Sequence, residues 1–323
     1  MNWEPLVNLL SPSCVFERAF CPAFLQMNTL ISLPQHELNT LNFVKMHGVG
    51  NDFVVLDLVR RPLPSHFDFA AFAEMVCDRH LGVGGDGLLS LERATDNQSA
   101  VRMRMWNPDG TEDMCGNGLR CIAHLAHVRG DVGSEFTVQT LSGPRLVHIL
   151  GSDRIRVSMG VPHFSPALVP IDRSEPLIEG SIELDGQVFR SATSMSTGST
   201  HTVIFSETPV SDAFFREWSP RLEVAPLFPE RTSIMWAHPL EDNHFGIRIW
   251  ERGAGETLAC GTGACAVAVA ARTTERASGT VKVRSKGGTL EIDWDEESGE
   301  IWKTGPAQIV FEGVWHPSNL GEF

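Results

Sequence analysis

The chain alternates between short runs with a period of two and longer apolar runs with a helical period. Alternating or β-rich segments occur at "NFVKMHG" from Asn42, "DFVVLDL" from Asp52, "VRMRMW" from Val101, "FTVQTL" from Phe136 and "RIRVSMG" from Arg154. A second series follows at "HTVIFS" from His201, "TSIMWAH" from Thr232, "FGIRIWE" from Phe245, "GTVKVRS" from Gly279 and "GTLEIDW" from Gly288. Runs of this length and composition, bounded by turn residues, predict strands. Two apolar helices are predicted, one directly after "CGNG" at Cys115 and one directly after "CGTG" at Cys260. Further helices are expected over Phe67–Asp78, with Asp68 near its start, and near Asp212–Ser219.

The pattern repeats. "RMWNPDG" from Arg104 matches "RIWERGAG" from Arg248, and "CGNGLRCIAHLA" from Cys115 matches "CGTGACAVAVAA" from Cys260. "GNDFVVL" from Gly50 loosely matches "GSTHTVIF" from Gly198. Three matches in one order, each offset by about 145 residues, argue for two halves of one construction. The expected fold is therefore α+β: two pseudo-symmetric domains over 41–160 and 161–323, each a mainly antiparallel sheet or barrel around a central helix. The active site is expected in the cleft between them. "GSDRIRVSMGVPHFSPALVP" from Gly151 is the expected crossing. Residues 1–40 lack this patterning and make a poor secretory signal, so they are expected to be a disordered extension or an over-long start, with Met27 an alternative beginning.

Composition narrows the partners. The formal net charge is −14 and no Lys/Arg cluster stands out, which argues against nucleic acid or an anionic membrane. No uninterrupted apolar stretch is long enough for a membrane span. Seven cysteines in 323 residues do not read as a secreted disulfide framework. "GVGGDG" at Gly82 lacks the strand and helix context of a dinucleotide site, and there is no Walker A motif, so no cofactor is expected.

The two Cys-Gly-x-Gly motifs carry the chemistry. A helix start leaves N–H groups unpaired and bears partial positive charge, so it can cradle a carboxylate and lower the pKa of a thiol beside it. Such a thiol is a competent general acid or base. Related by a pseudo-twofold axis, Cys115 and Cys260 would flank one carbon acid and invert its Cα without a cofactor. Cys121 and Cys265, inside the helices, read as core filling. A redox pair or a zinc-binding protein is an alternative from the residues alone, although no CxxC motif is present and no metal site is expected.

Four stretches together resemble the diaminopimelate epimerase family of two-cysteine, cofactor-independent amino-acid racemases. They are "KMHGVGNDFVVLD" from Lys45, "DRHLGVGGDGLL" from Asp78, "NPDGTEDMCGNGLRC" from Asn107 and "ERGAGETLACGTGACA" from Glu251. The resemblance implies an isomerase of lysine and peptidoglycan-precursor biosynthesis, cytoplasmic and homodimeric, that turns the LL form of its small amino-acid substrate into the meso form. It implies Cys115 and Cys260 as the acid–base pair. Gly116 with Asn117, and Gly261 with Thr262, would contact the carboxylate and amino group at the reacting carbon. Asn51 and Asn107 would be substrate-binding amides, and Glu251 with Arg252 a charged pair reading the distal end. His201, with Glu251, would help set the thiol protonation states.

The chain departs from the family pattern in the distal region. Gly198-Ser199-Thr200-His201 stands where the family has Gly-Asn-Pro-His, Ser233 stands where it has Asn, and Gly87 replaces a common Gln. Ser199 and Ser233 thus take substrate-binding positions with a shorter side chain and one donor in place of two. A related racemase acting on another amino acid, such as histidine, is the alternative these serines raise.

Overall fold

Each of the quoted strand runs lies on a strand of the computed structural model, which describes residues 40–316 apart from Ser152. The expectation placed on residues 1–40 falls outside the described residues but for Thr40. In chain order the first half comprises β1 (Leu41–Gly48), β2 (Asn51–Asp57), α1 (Phe69–Val76), β3 (Gly87–Arg93), β4 (Val101–Trp106), β5 (Glu112–Asp113), α2 (Gly116–Val128), β6 (Glu135–Thr140), β7 (Gly143–Gly151) and β8 (Arg154–Gly160). The second comprises β9 (Gly180–Leu184), β10 (Gln187–Ser196), β11 (Thr200–Phe205), α3 (Asp212–Glu223), β12 (Ser233–Glu241), β13 (His244–Glu251), β14 (Gly255–Thr257), α4 (Gly261–Thr273), β15 (Val281–Ser285), β16 (Gly288–Trp294), β17 (Ile301–Gly305) and β18 (Gln308–Trp315).

The pairing repeats as the sequence does. β1 pairs antiparallel with β2, β2 runs parallel to β3, β3 is antiparallel to β4, and β4 is parallel to β6. β10 to β15 repeat this order: β10–β11 antiparallel, β11–β12 parallel, β12–β13 antiparallel, β13–β15 parallel. Hairpins β6–β7–β8 and β15–β16–β17 complete each half. The halves then share strands. β17 pairs antiparallel with β8, and β18 returns to the first half to pair with β1.

The strands form one continuous sheet, and each half of it wraps a helix. α4 is Ala- and Val-rich, and Gly263 through Ala271 are all buried, as expected of a helix enclosed on every side. Cys121 and Cys265 are wholly buried in the core, which fits their reading as core filling. α1 is shorter than expected; Asp68 caps it, accepting from Ala71 N–H at 3.1 Å. α3 is longer: Ser211 caps it, and the helix continues through Pro220 to Glu223. Its buried Phe215, Leu222 and Ser219, the last accepting from Trp236 Nε1 at 2.9 Å, hold that turn against the sheet. Among the described residues no helix is long and apolar enough to cross a membrane.

Candidate active site

Cys115 and Cys260 are the N-cap residues of α2 and α4. Their backbones nearly superimpose, at φ −126°, ψ 119° and φ −128°, ψ 115°. Each sulfur accepts from the N–H three residues on: Gly118 to Cys115 at 3.5 Å and Gly263 to Cys260 at 3.4 Å. A thiol thus occupies the place usually taken by a Ser or Asp oxygen, and each sulfur sits at the positive end of a thirteen-residue helix. Gly116 and Gly261 mark a close approach between the two helix starts and β17. A Cβ at either position would collide with the Nζ of Lys303.

Amides gather around Cys115. Its sulfur lies 3.5 Å from Asn51 Oδ1, which also accepts from Asn117 Nδ2 at 3.2 Å. Asn51 is held from behind: its Nδ2 donates to Asp86 at 2.8 Å, and the same oxygen accepts from Asp52 N–H at 3.0 Å. Arg79 bridges Asp52 and Asp86, at 2.7 Å to each. Lys45 pairs with Asp52 at 2.5 Å and donates to the carbonyl of Gly84. Lys45 and Arg79 hold the Asp52 carboxyl below its usual range, against the opposing effect of burial.

Hydroxyls gather around Cys260. Its sulfur lies 3.5 Å from Thr262 Oγ1, which is 3.3 Å from Ser199 Oγ, and that oxygen is 2.9 Å from His201 Nε2. Thr197 fixes the turn by donating to Thr262 O at 2.9 Å. Glu251, at the end of β13, receives a hydrogen bond from Thr257 and faces Cys260. Burial pushes its carboxyl above the usual range.

The expected lowering of the thiol pKa values is reversed. Burial raises Cys115, although the N–H of Gly118 and the Lys303 amine partly oppose it. Burial, followed by the Glu251 charge, raises Cys260 well above a free thiol. At both sulfurs desolvation outweighs the helix end. The two thiols are also unequal: Glu251 bears most directly on Cys260, so Cys115 is the easier to ionise. His201 is fully buried and its pKa falls to about 3, so the ring is neutral at ordinary pH.

Other expected residues lie further from the thiols in their bonding. Asn107 donates from Nδ2 to Thr111 Oγ1 at 3.1 Å, within the turn after β4. Arg252 is exposed; its guanidinium donates to Glu230 O and its N–H to Ser233 Oγ, both at 3.1 Å. Glu251 and Arg252 therefore turn apart and do not pair with each other. Sequence reasoning did not single out Asp86, Asp52, Arg79, Thr257 or Lys303. Asp86 lay within a quoted motif, "GVGGDG", whereas Lys303 gave no signal, since a lysine outside any recognised pattern reads as solvent-facing.

The chain matches known proteins along most of its length. The diaminopimelate epimerase family model matches residues 43–165 and 193–310. A diaminopimelate epimerase of Desulforudis audaxviator is 43% identical over 284 residues, covering 85% of this chain and 99% of the relative. One from Moorella thermoacetica is 42% identical over 282 residues, covering 84% and 98%. Among solved structures, a probable proline racemase from Agrobacterium radiobacter K84 aligns with a TM-score of 0.62 at 12% identity, over 87% of this chain and 94% of that one. A phenazine biosynthesis protein of the PhzF family from Bacillus anthracis aligns at 0.58 and 17%, over 85% and 99%. These structural likenesses speak to the fold.

Proposed function

Because this chain belongs to the diaminopimelate epimerase family, we propose that it converts LL-diaminopimelate to the meso form by a two-base, cofactor-independent inversion with Cys115 and Cys260 as the acid–base pair. The observation that carries the reading is the matched pair of thiol caps, one at the start of each central helix. One sulfur, as thiolate, takes the Cα proton from one face. The other, as thiol, delivers its own proton to the opposite face, which leaves the pair with exchanged protonation. The N–H groups at Gly116–Asn117 and Gly261–Thr262 hold the carboxylate as it gains enolate-like charge. Because Glu251 bears more strongly on Cys260, Cys115 is the sulfur that serves more readily as base and Cys260 the one that serves as acid. His201 enters as a neutral ring that fixes the Ser199 hydroxyl, and through it the Thr262 hydroxyl beside Cys260.

The reading takes 41–160 and 161–323 as the two halves and places the reaction in the lysine and peptidoglycan pathway of the cytoplasm, with the enzyme a homodimer; light scattering tests the last point. Asn51 and Asn107, with Ser199, Ser233 and Arg252 toward the distal end, complete the substrate contacts. Ser199 and Ser233 already bond His201, Thr262 and Arg252, so a substrate read here must share them. Incubation with LL-diaminopimelate in deuterated water tests the whole. The expected result is meso product carrying deuterium at the inverted Cα; no meso product and no deuterium refutes it. Exchange with a different amino acid, histidine included, and none with diaminopimelate would move the reading to a sister racemase.

A further inference from the structure

Lys303 lies on β17, the strand that joins the two halves, and is wholly buried. Its Nζ has no hydrogen-bond partner among the described residues. It sits between the two helix starts, close enough that a Cβ on Gly116 or Gly261 would strike it. Asn117 Oδ1 is also buried and unpartnered, and would lie 3.0 Å from that Cβ on Gly261. The interval from Met159 to Lys303 nearly equals that from Cys115 to Cys260. Met159, on β8, also touches the Gly116 position. The repeat thus puts a thioether on one side of the pseudo-axis and an amine on the other.

A buried ammonium without a counter-charge is unfavourable. The charged and titratable groups facing Lys303 are Arg120 on α2, Cys265 on α4, and the two cap thiols. None is a carboxylate. Arg120 is itself buried and bonds only Pro306 O, at 3.1 Å. Both helix ends add further positive potential. We propose that Lys303 is a positioning residue whose ammonium serves as the buried counter-charge of the substrate carboxylate when that carboxylate settles at the starts of α2 and α4. This rests on the epimerase reading above and adds to it a group on neither helix. Burial, then Arg120, brings the free amine down to about 8, so near and above that pH the protein takes up a proton as the anion arrives.

The sign follows. Binding needs the ammonium, so kcat/KM falls as pH rises above about 8. Lys303→Met, which copies Met159, should raise KM at least tenfold with a much smaller change in kcat, and should remove that alkaline limb. A merely structural role would leave the limb in place. NMR of protein labelled with 13Cε-lysine reads the amine directly, with Lys303→Met or Lys303→Gln assigning the resonance. Its titration midpoint should move upward when LL-diaminopimelate, or acetate as a simple carboxylate probe, is added. An unmoved midpoint in an enzyme saturated with substrate, or a wild-type KM in Lys303→Met, overturns the proposal. If the wild type does not turn over LL-diaminopimelate, the functional reading fails separately. The acetate titration then decides Lys303 alone: an upward shift supports the role and no shift overturns it.

Discussion

Replacing Asp86 by alanine should separate positioning of the amide cluster from the chemistry of the thiols. The Asp86 carboxylate touches neither sulfur. It accepts from Asn51 Nδ2 at 2.8 Å and Asp52 N–H at 3.0 Å, and so aims Asn51 Oδ1 at Cys115 and Asn117. Hydrogen bonds to a charged acceptor contribute about 1.5–3 kcal/mol each when well shielded. The Asp86 side chain is 40% exposed, which brings each nearer 1 kcal/mol and the stability loss to about 1–2 kcal/mol. For a chain of this size that lowers Tm by about 1.5–3 °C. Arg79 keeps its bond to Asp52, so the local loop should hold. A freed Asn51 amide should misplace the substrate enough to lower kcat/KM about 10–100-fold, or about 1.4–2.7 kcal/mol of transition-state stabilisation. Asp86→Asn keeps one acceptor oxygen and should fall between. Paired melting curves and Cα-exchange kinetics supply the assay. A kcat/KM within twofold of wild type, alongside the lowered Tm, would show that the Asp86–Asn51 bond supports the loop and not the reaction.

Cys115→Ser and Cys260→Ser should each abolish net inversion, since each direction needs one base and one acid; chiral chromatography of the product checks this, and wild-type inversion in either variant refutes the two-base assignment. Glu251→Gln removes the charge that opposes a Cys260 thiolate, so alkylation of Cys260 by iodoacetamide, followed by peptide mass, should begin at lower pH than in the wild type. The buried His201, with its pKa near 3, makes the unfolded chain bind more protons than the folded one between pH 3 and 6.5. Stability should therefore fall on acidification through that window by up to about 1.4 kcal/mol per pH unit from this one group, and urea titrations of His201→Gln should show a flatter slope.

Much of the site was legible because it is written twice. Either Cys-Gly-x-Gly alone could be a cysteine at a helix start; the pair, with the matching strand before each, located both caps and the two central helices. Strands with clean alternation, such as β4 and β16, were read to the residue. β10 has a run of small polar residues and β17 a buried lysine, so neither shows the period that marks a half-buried strand. The protonation of the thiols was misread for a different reason. Motif chemistry reports the helix end, whereas burial depends on how the two halves close over it, and burial dominates both sulfurs. Asp86 and Lys303 act through partners far away in sequence, which local pattern does not show.

The pairing of β18 with β1 bears on how the chain reaches its native state. Leu41 lies opposite Trp315, so the first strand acquires its outer neighbour only after nearly the whole chain exists. During synthesis the earlier half waits with an open edge, and β8 waits likewise for β17. Contacts of such long sequence separation slow folding and expose strand edges meanwhile. The strand pairings that join the two halves are thus completed last, and trimming the chain before Gln308 should deprive the early half, not the late one, of its border strand.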